Sequence, residues 1–225
     1  MMMPTILILL IGAFLLGSIP VGALVAKTRG VDILSAGSGN IGGTNVYRVL
    51  GPGPGILVSV FDILKGYAPA VIALQLFPGE QQQVYALCAG LVAVAGHCFS
   101  PFLKFRGGKG IATGFGALLG ATPVVALSAL LVFILTIAIT RFVSLASVIS
   151  VTALVVLGLL RHESSVLIWM YGGLAVFIVY KHRGNMSRLI AGTERRFQIK
   201  PEASDKAKPE EDKPSDHSTT GQAKP

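Results

Sequence analysis

The chain has 225 residues, 52% hydrophobic and 13% charged, with a mean hydropathy of +0.68, whereas soluble domains carry about 25% charged residues. This argues against a soluble globular protein and for one polytopic membrane domain. Before Phe197 there are 14 Lys and Arg against 5 Asp and Glu, an excess that suits anionic lipid or an anionic substrate, since so apolar a chain keeps little soluble surface on which to hold nucleic acid.

Apolar runs near the ~20 residues needed to cross a bilayer recur from end to end. The first, Pro4 to Ala26, lacks the basic leader of a secretory signal and reads as a retained span, with a kink expected at Pro20. Val31 to Gly55 is glycine-rich and polar, so it is expected as an interfacial or protein-lined loop rather than bare backbone in lipid. A second span, Ile56 to Phe77, carries Asp62 and Lys65, which helical spacing lets face each other. Val84 to Leu103 forms a third span, bearing Cys88 and Cys98, which read as packing residues and not as a disulfide framework or zinc cluster. The basic loop KFRGGKG, Lys104 to Gly110, follows it.

Ile111 to Thr140 is about 30 residues long and is interrupted by Gly120, Thr122 and Pro123. Splitting it there, before the spans Phe142 to Leu160 and Val166 to Tyr180, returns KFRGGKG and the later KHRGNMSR to one face, as basic loops prefer. The expected fold is therefore all-α, with seven transmembrane helices of which Ile111 to Ala121 is short or re-entrant. The amino terminus is outside and the carboxyl terminus cytoplasmic. Residues 1–196 make the membrane domain, and 197–225, Pro-, Lys- and Glu-rich, a disordered charged tail.

Three polar clusters share the expected cytoplasmic face. Gly37 to Gly51 combines glycines that allow a phosphate-binding nest with Ser38, Asn40, Thr44, Asn45 and Arg48. The lysine of a nucleotide-binding P-loop is missing there. Gly96 to Thr113 gathers His97, Lys104, Arg106 and Lys109 around Gly107 and Gly108. Lys109, opening the next helix, is placed to meet an anion, while Lys104 and Arg106 suit lipid headgroups equally well. Lys181 to Glu194 supplies His182, Arg183, Asn185 and Arg188.

Taken together, Gly17 to Pro20, SGNIGGTN with Arg48, Asp62 with Lys65-Gly66, GH followed by KFRGGKGIAT, and HRGN with Arg188, Gly192 and Glu194 resemble the bacterial integral-membrane acyl-phosphate:glycerol-3-phosphate acyltransferases. Where many members carry proline three residues after the histidine, this chain has Ser100 and then Pro101. The resemblance implies an inner-membrane enzyme that moves a fatty acyl group from acyl phosphate to glycerol 3-phosphate, giving lysophosphatidate and phosphate in the first acylation of phospholipid synthesis. Neither cofactor nor metal is implied, and no obligate protein partner. Carried over residue by residue, His97 and Ser38 are the catalytic candidates. Gly39, Asn40, Thr44, Asn45, Arg48, Lys65, Lys104, Gly107, Gly108, Lys109, Thr113, His182, Arg183, Asn185 and Arg188 are the candidates for holding phosphate and glycerol. The hydroxyl proton has two possible acceptors, His97 or a donor-phosphate oxygen. The His-x4-Asp pair of soluble and peripheral acyltransferases is absent. A transporter for an anionic metabolite and an anionic-lipid-binding protein are the competing classes.

Overall fold

The computed structural model describes residues 2–197, and among these the regular structure is entirely helical. In chain order the helices are α1 (Met2–Ser18), α2 (Val21–Lys27), α3 (Gly43–Leu50), α4 (Pro52–Leu76), α5 (Gln82–Cys98), α6 (Ile111–Ala121), α7 (Pro123–Thr140), α8 (Val143–Leu160), α9 (Ser165–Lys181) and α10 (Arg183–Ile190). Five segments are long and apolar enough to cross a membrane, namely Met2–Lys27, Pro52–Leu76, Gln82–Leu103, Pro123–Thr140 and Val143–Leu160. A sixth is reached if α9 and α10, bent by 60° at His182, count as one. The long apolar run divides at Thr122 as expected, leaving the 11-residue α6 and the 18-residue α7.

The first span breaks at Ile19–Pro20, where proline removes a helical donor and leaves carbonyls to other partners. Lys65 Nζ takes one of them, donating to Ile19 O at 3.3 Å. The Ser100 hydroxyl takes another, donating to Ser18 O at 2.6 Å. Ser100 is 1% exposed, so the position where proline is common in the resembled family here serves as a tie between the first and third spans.

Small residues set how closely the spans approach. A Cβ on Gly66 would fall on the Thr113 carbonyl, one on Gly116 on the Ile63 carbonyl, and one on Gly90 on Ala117. In lipid such backbone contact replaces the hydrophobic drive that holds soluble helices together, and it draws the short α6 into the angle between α4 and α5. One apolar core unites α4 to α9 through residues such as Leu87, Leu118, Leu154 and Tyr171. A separate small core, Ala26, Ile33, Ile41, Val46 and Val58, lies under the glycine-rich loop. Large apolar side chains such as Ile8, Ile139 and Trp169 stand exposed, as lipid-facing residues should.

Two details depart from the sequence expectations. Val31–Gly55 is not loop throughout: α3 occupies Gly43–Leu50, its one side buried through Asn45 and Val46. Phe197, the first residue assigned to the tail, donates its N–H to Arg141 O at 2.7 Å and packs its ring 5.4 Å from that of Tyr47. Residues 198–225 of the expected tail lie outside the described residues.

Candidate active site

Lys109 reaches the site because Gly110, at φ +85°, turns the chain sharply from the basic loop into α6. Its ammonium donates to Asn185 Oδ1 on α10. Asn185 Nδ2 in turn donates to Glu194 Oε1 at 2.6 Å, Ser144 on α8 donates to the same oxygen at 2.7 Å, and Arg188 Nε donates to Oε2 at 2.8 Å. Glu194 thus ties α8, α10 and, through Asn185, the KFRGGKG loop at one point. Burial pushes its pKa up, but the hydrogen bonds from Asn185, Ser144 and Arg188 and the Arg188 charge outweigh that, so its pKa is lowered and it stays ionised.

Lys109 loses hydration at this site, and burial together with the charges of Arg188, Arg48 and Lys181 lowers its pKa to about 8 against the opposing pull of Glu194. One carboxylate among so many cations leaves a net positive pocket suited to a phosphate dianion. His182 is buried beside it, with Nδ1 2.8 Å from Ile178 O. A carbonyl can only accept, so Nδ1 carries the proton and Nε2 is left as an acceptor.

The glycine-rich loop is brought to α3 by Asn45. Its Oδ1 accepts from Ser38 N at 2.7 Å, and its Nδ2 donates to Ala36 O at 3.1 Å and Asn40 O at 2.9 Å. Asn40 Oδ1 accepts from Gly42 N at 2.8 Å. Asn45 therefore shapes the loop, leaving Ser38 exposed and Gly39 and Asn40 half-exposed on its rim. Arg48 lies one turn further along α3, and its charge is felt at Lys109.

Another group sits deeper. Asp62 Oδ1 is 2.8 Å from Lys65 Nζ and 3.6 Å from His97 Nδ1, and all three residues are at most 4% exposed. Gly108 N donates to His97 O at 3.0 Å, and a Cβ on Gly108 would fall on His97 Nε2. The imidazole thus packs directly under the glycine pair. Gly107 approaches the His97 carbonyl just as closely.

The sequence candidates accordingly separate. Lys109, His182, Asn185 and Arg188 come together, with Arg48 within electrostatic range. Lys65 is instead spent on Asp62 and Ile19 O, and Arg183 turns back onto Tyr180, donating to its carbonyl at 3.1 Å and covering its ring. Lys104 is exposed on a left-handed turn with Phe105. Thr113 is buried in the first turn of α6. Glu194, Ser144 and the Asp62–His97 contact are not among the sequence candidates. Glu194 does stand in the quoted motif, and its carboxylate beside arginines at the membrane edge is the signal that could have found it.

An apolar groove opens beside the polar cluster. It starts at Gly110 and Ile178, runs between α6, α7, α8 and α9, and encloses about 650 Å³ with its open side included. Phe115, Leu130 and Phe133 form its half-buried rim.

A family model described as glycerol-3-phosphate acyltransferase matches residues 7–192. The chain belongs to the glycerol-3-phosphate acyltransferase family. The glycerol-3-phosphate acyltransferase of Geotalea daltonii is 45% identical over 192 residues, covering 85% of this chain and 97% of that one. Among solved structures, the glycerol 3-phosphate form of PlsY (YgiH), an integral membrane glycerol 3-phosphate acyltransferase, superimposes with a TM-score of 0.82 at 40% identity, covering 86% of this chain and 96% of that chain. The lysophosphatidic acid form of PlsY gives 0.79 at 39% identity, covering 87% and 96%.

Proposed function

We propose that this glycerol-3-phosphate acyltransferase takes its acyl group from acyl phosphate and works at the cytoplasmic face of the bacterial inner membrane, without an obligate protein partner. The observation that supports the donor is the juxtaposition of the apolar groove with the Lys109 cluster, the two meeting at the Lys109–Gly110 step. A donor lying there would place its chain in apolar surroundings and its phosphate among Lys109, Arg188, Asn185 and Arg48. Glycerol 3-phosphate would bring the second phosphate to the same cationic face, against the Ser38–Asn40 rim.

In the transfer, a glycerol hydroxyl oxygen attacks the donor's carbonyl carbon, the bond from that carbon to the phosphate oxygen breaks, and inorganic phosphate leaves. The hydroxyl proton ends on phosphate, so atoms and charge balance. Phosphate is already a good leaving group, and positioning with charge neutralisation carries much of the rate. The burial of His97 under Gly108 favours a supporting role for it, with a donor-phosphate oxygen as proton acceptor. Seven crossings, with α6 the short one, put Ser38, Lys109 and Asn185 together in the cytoplasm. A transporter is disfavoured because, Arg161 at the α8–α9 turn and the Asp62-paired Lys65 apart, the lysines and arginines of the described residues gather at one end of the molecule.

The test is purified protein in detergent with palmitoyl phosphate and glycerol 3-phosphate. Lysophosphatidate and phosphate should appear in equal amounts. Arg48→Ala and Lys109→Ala should each lower kcat/KM by at least about tenfold, the scale of a charge-assisted hydrogen bond. Movement of glycerol 3-phosphate across a vesicle membrane with no lysophosphatidate made would overturn the proposal.

A further inference from the structure

The groove has a definite depth. Ala129 on α7 and Leu154 on α8 both line it and lie at equal sequence distance from the Arg141–Phe142 turn that joins these helices. At 1.5 Å per residue each stands about 16 Å along its helix from that turn. That is close to one leaflet of a hydrocarbon core about 30 Å thick. Leu118 of α6 closes the same end and is 4% exposed.

Beyond this point the interior is solid. Val125 and Ala126 are fully buried one turn beyond Ala129, Thr122 is buried at the α6–α7 break, and the Tyr171 ring lies against Gly158. The side walls, Val151, Leu174 and Ile178, are apolar, and the one polar lining residue, Ser150, donates its hydroxyl to Ser147 O at 3.1 Å. Nothing along the groove would favour a polar terminus at depth, and Ala129 and Leu154 line its far end.

We infer that Ala129 and Leu154 form the end stop of the acyl groove, so that this enzyme measures its donor and prefers chains of about one leaflet's length. The inference rests on the acyl-phosphate reading above. A methylene that finds no place in the groove lies in lipid instead and forfeits only its packing contacts with the groove walls, so kcat/KM should stop rising once the chain reaches the stop.

The experiment compares lauroyl, palmitoyl and stearoyl phosphate, first with the unaltered protein. Its kcat/KM should rise from lauroyl to palmitoyl and rise no further with stearoyl. A profile that is flat from lauroyl to stearoyl, or that keeps climbing, overturns the end stop. Ala129→Phe fills the far end and should lower palmitoyl transfer at least tenfold while changing lauroyl transfer less than threefold. Leu154→Ala removes volume there and should raise stearoyl transfer relative to palmitoyl severalfold. Equal losses on all donors from Ala129→Phe would show general damage and overturn the assignment. If Ala129→Phe does not accumulate in the membrane, the unaltered profile and Leu154→Ala decide, and an unchanged stearoyl-to-palmitoyl ratio in Leu154→Ala then overturns it. Absence of lysophosphatidate from the unaltered protein with every donor would instead sink the acyl-phosphate reading, so the two failures are distinct.

Discussion

The His97 imidazole faces the Asp62 carboxylate, Nδ1 3.6 Å from Oδ1, although the two residues come from different spans. The same oxygen holds Lys65 at 2.8 Å, and Lys65 reaches on to the Ile19 carbonyl at the break in the first span. Among the described residues His97 Nδ1 makes no hydrogen bond, so the ring abuts the carboxylate without being bonded to it. Asp62 therefore joins three spans beneath the loop that carries Lys109.

Removing one member of this group should cost more than removing two. Asp62→Asn leaves Lys65 buried without a counter-charge, which typically costs about 3–5 kcal/mol. Replacing the pair together, Asp62→Leu with Lys65→Met, should recover most of the loss, because apolar side chains of similar volume carry no desolvation penalty. Thermal unfolding in detergent checks this. A double variant less stable than Asp62→Asn would show that the ion pair is favourable in its own right.

The role of His97 is separable from its fit under the loop. His97→Gln keeps a hydrogen-bonding side chain and should leave kcat within about tenfold, whereas loss of a general base costs about 10² to 10⁴-fold. Gly108→Ala, by contrast, drives a Cβ onto the imidazole and should nearly abolish transfer by displacing the loop. Gly173→Ala, on α9 with open space around the new Cβ, should be silent. A fall of a hundredfold or more in His97→Gln, with the ascending limb of the pH profile lost, would make His97 the base.

Much of this arrangement was legible in the sequence, and the parts that were not share a cause. Gly120, Thr122 and Pro123 marked the α6–α7 break because proline and glycine act locally on the backbone. The long spans, Met2–Lys27, Pro52–Leu76, Gln82–Leu103 and Val143–Leu160, were legible from hydropathy, since the bilayer imposes their length. Helix α3 was not legible: Gly43 and the flanking glycines argue against helix, and burial of Asn45 and Val46 against neighbouring elements overrides them. Asp62 announced itself as a costly intramembrane charge, but its nearness to His97 depends on how α4 and α5 pack. Glu194 was visible as a motif residue, yet its role as a hub emerges only when α8 and α10 converge on it.

The proposed topology places the loop at Ser38, the KFRGGKG loop and α10 on one side and the α4–α5 turn on the other. In a background with Cys88 and Cys98 replaced by serine, single cysteines at Ser38, Arg106 and Asn185 should react with an impermeant reagent only from the cytoplasmic side. One at Gln82 should react only from outside. Labelling of position 185 from outside would mean that α6 does not cross, and the seven-helix count would fall.

Lys109 gives the site a pH dependence whose sign is fixed by its environment. Burial and the charges of Arg188, Arg48 and Lys181 lower its pKa to about 8, with Glu194 opposing them. The ammonium is therefore present below about pH 8 and lost as pH rises through that value. Anion binding should follow the same course, so KM for the phosphate substrate it holds should climb on the alkaline side while kcat changes less. Neither His182 nor the arginines around Lys109 imitate this limb: the arginines stay charged throughout, and an imidazole loses its charge well below pH 8, the Nδ1–H bond to the Ile178 carbonyl only fixing which tautomer its neutral ring adopts. Bound phosphate would itself favour the charged lysine, so saturating substrate should push the limb to higher pH. Lys109→Arg keeps the charge at every accessible pH and should flatten the alkaline limb, even if its bulk lowers activity overall. An alkaline limb that survives unchanged in Lys109→Arg would assign the titration to another group and remove Lys109 from the phosphate site.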